Sequence, residues 1–209
     1  MAYWWVNHNC NHVLERENGF IWSPKVRTDG GYSQFYENMK LIMPGDIIFS
    51  YAQAEVGALG LALAKAIDQK NPFKTDYQER NGWYVRVYFV SLSKPFKPRD
   101  RWSEIGHLFP EKYSPLSKKN GKGVQVAYLS AISDSLGNLL IEIIGVKDLP
   151  KILQGYLNQD EKTIHSITGD KLFENSIEKN LNTVECVGEK TTHVSFFSKL
   201  ADLFFWKKR

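Results

Sequence analysis

The chain, at 209 residues and 24.1 kDa, suits one domain of ordinary size or one domain with an appendage, and two full domains would be a squeeze. With 43% hydrophobic and 24% charged residues it can bury a core, and no stretch approaches the ~20 uninterrupted apolar residues of a membrane span. The formal charge of +4 permits a polyanionic partner without demanding one; Cys10 and Cys186 are too few for a disulfide framework and form no CxxC pair.

Both thiols therefore read as reduced, in a cytoplasmic protein. The opening Met-Ala-Tyr-Trp-Trp lacks the basic flank, apolar run and small-residue cleavage site of a leader, so secretion is not expected. Tyr3 to Asn7 is aromatic and β-branched and predicts a strand that breaks at Asn and His. Phe20-Ile21-Trp22 predicts a short extended piece stopped at Ser23-Pro24. Between Ser33 and Met43, Phe35, Met39 and Ile42 recur at helical spacing, which predicts one amphipathic helix closed by the Pro44-Gly45-Asp46 turn. Ile47 to Tyr51 should be the next strand, with Val56 to Ala66 as its partner, curved or bulged at Gly57 and Gly60. Trp83 to Leu92 and Gly123 to Leu129 predict two more strands. Ser133 stands at an N-cap position ahead of Leu136, Leu139, Leu140, Ile143 and Ile144, with Gly145 as the stop. Beyond Pro150 the composition turns polar and irregular, which puts a boundary there. No βαβ repetition or Gly-rich phosphate loop appears, so a doubly wound nucleotide fold is disfavoured.

A catalytic set is hard to assemble. On an extended strand His8, Cys10 and His12 would share a face, yet no second cluster matches them, so structural or hydrogen-bonding roles are expected and no metal or cofactor. GxSxG, P-loop and HExxH motifs are absent. The aromatics say more: Trp22 beside Ser23, Tyr51 beside Ser50, and Trp83 at a strand start are what a pocket for a planar base requires, rings for its faces and polar groups for its edge. The same rings also read as ordinary core residues. Basic groups able to meet phosphates are Lys25 and Arg27; Lys94, Lys97, Arg99 and Arg101; and Lys118, Lys119 and Lys122, with solvated faces as the plain alternative.

The blocks Tyr-Trp-Trp-Val-Asn-His-Asn (3–9), Ile-Trp-Ser-Pro-Lys (21–25), Tyr-Glu-Asn-Met (36–39), Pro-Gly-Asp-Ile-Ile-Phe-Ser-Tyr (44–51), Gly-Ala-Leu-Gly (57–60) and Trp-Tyr-Val-Arg-Val (83–87), in this order, closely resemble an EVE domain over residues 2–148. EVE domains are PUA-like and similar to the YTH readers of methylated RNA bases; the chain looks most like the reader module of EVE-HNH modification-dependent endonucleases. The resemblance implies an α+β fold, a bent mixed sheet or barrel of about five to six strands with flanking helices and a less ordered C-terminal tail. The domain would span 1–149, with 150–190 a linker and 191–209 a possible amphipathic helix carrying Phe197, Leu200, Ala201, Phe204 and Phe205. It implies Trp22 as the stacking ring, Ser23 as a backbone contact, Asn9 on the base edge, and Ser50 and Tyr51 in the pocket lining. Trp83 is expected as the second wall, with Phe73 and Tyr77 as alternatives.

The tail offers His165 and His193 without the catalytic motif of an HNH nuclease. The expectation is a reader that flips a modified base, most of all a modified cytosine in DNA, in restriction or defence, with no catalysis of its own. A separate nuclease subunit is a possible partner. The alternatives are a modification-dependent endonuclease with an unrecognised site in the tail, and an RNA-binding module.

Overall fold

Alternation along the first strand sets the plan of the molecule. In β1 (Tyr3–Asn7) every residue is buried, because Tyr3 and Trp5 face one apolar cluster and Trp4 and Val6 face another. A strand covered on both faces reads as a continuous apolar run, which is why Tyr-Trp-Trp-Val carries no polar gap. The computed structural model describes residues 1–8, 11–73 and 80–158, all within one compact unit.

After β1 come α1 (His12–Glu17), β2 (Phe20–Pro24), α2 (Gln34–Glu37), β3 (Ile47–Ala52), β4 (Glu55–Ala62), β5 (Ile67–Lys70) and β6 (Asn81–Phe96). The series ends with α3 (Trp102–Ile105), β7 (Leu129–Ile132), α4 (Asp134–Ile144) and α5 (Lys151–Leu157). The described strands form one mixed sheet in the order β2-β6-β4-β3-β1-β7, with β5 beside β6. β1 and β3 run parallel and the other pairs antiparallel. This is the α+β, bent-sheet architecture expected, with seven strands where five to six were expected.

Two devices fix its shape. Asp46, in the turn before β3, is 3% exposed, and its carboxylate accepts the Ala2 N–H at 2.7 Å, the Trp4 indole N–H at 2.9 Å and the Met43 N–H at 3.0 Å. That one side chain ties the start of β1 to the turn and pins the parallel register, which no hairpin can supply. The pairing register of β4 on β6 shifts between Val56 and Ala58, placing the bend at Gly57 as the glycines suggested. Inside the curl lie Trp4, Val6, Ile21, Met39, Ile42, Ile48, Val85 and Val87; outside it α4 and α5 cover Tyr3, Trp5, Ile47 and Phe49. Gly137 lets α4 approach, since a Cβ there would stand 2.3 Å from the Tyr3 ring.

Several expectations need correcting. The helix expected between Ser33 and Met43 is a single α-turn, α2, followed by a 3-10 turn over Asn38–Leu41. Of the strand expected over Gly123 to Leu129, the stretch up to Tyr128 is irregular apart from one bridge between Gly123 and Leu116, and the last strand begins only at Leu129 and runs to Ile132, pairing with β1. α1 and β5 were not anticipated, because His-Val-Leu-Glu-Arg-Glu and Ile-Asp-Gln-Lys show too short an apolar pattern to read. α5 continues past the boundary expected at 149, and its Leu153 is fully buried in the outer cluster. The rest of the expected tail, including 191–209, Cys186, His165 and His193, lies outside the described residues.

Candidate functional site

Trp22 lies on the outer face of β2. Strand alternation puts Phe20 and Trp22 on that face with Tyr84 of the neighbouring β6, and turns Ile21 and Ser23 toward the inside of the curl. The Phe20 and Tyr84 rings stack at 5.1 Å and 22°, and Phe73 meets the Trp22 ring edge-on at 5.9 Å and 85°. Trp22 lies against the β6 backbone: a Cβ at Gly82 would come within 2.3 Å of the indole. The indole N–H donates to the Gln69 carbonyl of β5 at 3.1 Å. The result is an aromatic group of Phe20, Trp22, Phe73 and Tyr84 where β2, β5 and β6 meet, with Trp22 7% exposed.

Beneath it, three buried polar side chains hold the β2 edge. Glu15 of α1, 2% exposed, accepts through Oε1 from the Tyr128 hydroxyl at 2.6 Å and from the Trp22 backbone N–H at 3.2 Å. The Tyr128 oxygen also accepts from that N–H at 2.9 Å, and Glu15 Oε2 lies 2.7 Å from His8 Nδ1. Tyr128 directly precedes β7, and its carbonyl accepts from Asn7 N–H at 2.7 Å. The two ends of the curled sheet are therefore joined by side chains where the backbone ladder stops, and the exposed-edge problem of β2 is solved there. Burial, then the Glu15 charge and hydrogen bond, push the Tyr128 phenol well above its usual range. His8 Nε2 and Ser23 Oγ are buried beside this network with no hydrogen-bond partner.

The sequence-derived set is only partly brought together. Trp83 is not a wall to Trp22: one residue out of phase on β6, it faces the inner cluster, with the Lys25 ammonium 4.5 Å and the Lys40 ammonium 5.4 Å from its ring centroid. The ring that does meet Trp22 is Phe73, one of the loop alternatives. Ser50 and Tyr51, as consecutive strand residues, point to opposite faces and cannot line one surface together. Ser50 Oγ accepts from Arg16 Nε at 2.8 Å and its carbonyl from Arg16 Nη2 at 2.9 Å, whereas Tyr51 packs on Trp5 at 5.3 Å. Ser23 faces inward and is 1% exposed. Asn9, Cys10 and Tyr77 lie outside the described residues.

The basic residues divide by partner. Lys25 pairs with Asp68, Arg27 with Asp29 at 2.8 Å, Arg101 with Glu104 at 2.6 Å and Lys118 with Glu111 at 2.8 Å. Lys94, Lys97 and Arg99 are exposed and make no ion pair among the described residues. They sit at the far end of β6 from Gly82, so aromatic group and free cations occupy opposite ends of one strand. Among the described residues no three His, Cys, Asp or Glu side chains converge, and no helix is long and apolar enough to cross a membrane. Sequence reasoning missed Glu15 and Tyr128; a glutamate in a polar helical turn carries no signal of burial.

No protein-family model matches the chain, and no curated protein matches it. Among solved structures, protein Atu2648 from Agrobacterium tumefaciens is similar at 14% identity and TM-score 0.44, over 69% of this chain and 94% of that one. Rpa0253 from Rhodopseudomonas palustris is similar at 16% identity and TM-score 0.43, over 70% and 94%. The YTH domain of Zygosaccharomyces rouxii MRB1 protein, solved in complex with N6-methyladenosine RNA, is similar at 12% identity and TM-score 0.41, over 68% and 86%.

Proposed function

We propose that this chain is a nucleic-acid-binding module that takes a modified base onto Trp22 and performs no chemistry itself. The observation that carries this reading is the way Trp22 is held: indole on the Gln69 carbonyl, ring against the β6 backbone at Gly82, backbone N–H on Glu15 and Tyr128, and a second ring, Phe73, perpendicular to it. A fixed ring loses little entropy on stacking, and base–aromatic stacking contributes about 1–3 kcal/mol per base. A flipped base stacks on Trp22 by displacing the Phe73 edge, at an unstacking cost of a few kcal/mol that is lowest where the duplex is weakened or absent. Modified cytosine in DNA is the substrate we favour, a restriction or defence role the setting, and a nuclease on another polypeptide the effector.

The test is Trp22→Ala in the full chain. Binding to an oligonucleotide carrying the modified base should weaken by about 1–3 kcal/mol, with little change for the plain strand. Trp22 is also a packed ring, so the variant must melt near the wild-type temperature before lost binding is read as a lost contact. A folded Trp22→Ala that keeps full discrimination contradicts the reading, and metal-dependent cleavage by the purified chain contradicts the absence of chemistry.

A further inference from the structure

The positive charge of this protein is concentrated in one connection. Residues 94–122 carry eight Lys or Arg and three Asp or Glu, a net +5, while the whole chain carries only +4, so everything else is close to neutral at −1. Inside the segment the carboxylates are already used: Glu104 is held by Arg101 and Glu111 by Lys118, which leaves Asp100. Lys97, Arg99, Lys119 and Lys122 are exposed and make no ion pair among the described residues.

The two halves of the segment are packed together. The Trp102 ring lies against both Gly106 and Gly121, where a Cβ would stand 2.7 Å and 2.8 Å away, and its indole N–H donates to the Lys118 carbonyl at 3.3 Å. The Arg99 side chain touches the same Gly121 position at 3.4 Å. Residues 117–122 form a closed turn: Gly121 N–H donates to the Ser117 carbonyl at 2.8 Å, Ser117 N–H to the Lys122 carbonyl at 2.7 Å, and Gly121 takes a φ of +66°. Lys118 braces it through the Phe109 carbonyl at 2.9 Å. Backbone positions of Lys97, Arg99, Lys119 and Lys122 are thus set before any partner arrives, which lowers the ordering cost of binding.

We infer that this connection is a second binding surface, separate from Trp22, and that its occupant is the phosphodiester backbone of a nucleic acid. Unpaired cations on a braced backbone match a regularly charged polyanion. The inference deepens the reading above by locating where the strand is gripped without regard to its bases, and it stands or falls independently of Trp22.

The experiment measures binding of the full chain to unmodified single-stranded and duplex DNA across a salt series. Lys97→Gln, Lys119→Gln and Lys122→Gln are combined and compared with Lys65→Gln, Lys147→Gln and Lys151→Gln, three exposed lysines elsewhere that give the same net charge. The first variant should bind on the order of tenfold more weakly at low salt, and its slope of log K against log salt should flatten by about 0.7–0.9 for each lost contact. The control should track the wild type. Equal loss in both variants, no loss in either, or no binding of plain DNA by the wild type overturns the inference; equal affinity for polyglutamate of matched charge overturns the nucleic-acid occupant. Trp22→Ala run alongside separates the two surfaces: a wild type that grips plain strands but shows no preference for a modified base defeats the reader and leaves this surface standing.

Discussion

At the scale of single residues, the buried carboxylate of Glu15 governs the site because three groups depend on it. Taking Tyr128 away leaves Glu15 Oε1 and the Trp22 N–H each one partner short in a dry interior, and an unmet buried hydrogen bond costs about 1–3 kcal/mol. Tyr128→Phe should therefore lower neutral-pH stability by about that amount. It should also change the alkaline limb. A phenol whose folded pKa is raised stabilises the fold fully below the unfolded value near 10, and that contribution is lost as pH climbs from 10 toward the folded value, by about 1.4 kcal/mol per pH unit per group. Tyr84, pushed by burial to about 12, acts with the same sign, so the wild type should weaken above pH 10 and the Tyr128→Phe chain should weaken less steeply. Denaturant midpoints from pH 7 to 11.5 check this, and parallel curves contradict it. None of this was legible beforehand. Trp22 and Ser23 could be singled out from Ile-Trp-Ser-Pro, but the network fixing Trp22 comes from residues 7 and 106 positions away, and such long-range partners leave no local pattern.

At the scale of elements, strand phase decides which rings meet. Trp83 is the expected second wall because it opens a strand, yet a period of two sends it to the opposite face from Trp22 and brings up Gly82 and Tyr84 instead. Ser50 and Tyr51 fail together for the same reason. The strands with long apolar runs, β1, β3 and β4, were readable, because burial on both faces leaves an uninterrupted signal; β5 was not, because an edge strand of Ile-Asp-Gln-Lys is mostly solvated. The β3–β4 turn hides a further feature: Gln53 and Ala54 both have positive φ, at 52° and 66°, in a two-residue hairpin where Asn-Gly is favoured. Left-handed backbone costs a non-glycine residue about 1–2 kcal/mol. Replacing Gln53 and Ala54 with Asn and Gly should raise the midpoint of thermal unfolding without altering binding, whereas a lowered midpoint would contradict the turn geometry.

At the scale of the whole molecule, two surfaces with different chemistry share one scaffold. The curled sheet carries an aromatic group at one end of β6 and an uncompensated basic connection at the other, the connection anchored by Phe96, Ile105, Phe109 and Leu116 in the outer apolar cluster. Rings distinguish bases while cations hold any strand, so affinity and selectivity should be separable by mutation and by salt. The most direct measurement is a panel of oligonucleotides, single-stranded and duplex, identical except for one modified base and all titrated against the full chain at one salt concentration. The expected result is tighter binding of at least one modified strand than of its plain twin, a preference erased in a folded Trp22→Ala variant. Indistinguishable affinities across the whole panel would contradict the central claim.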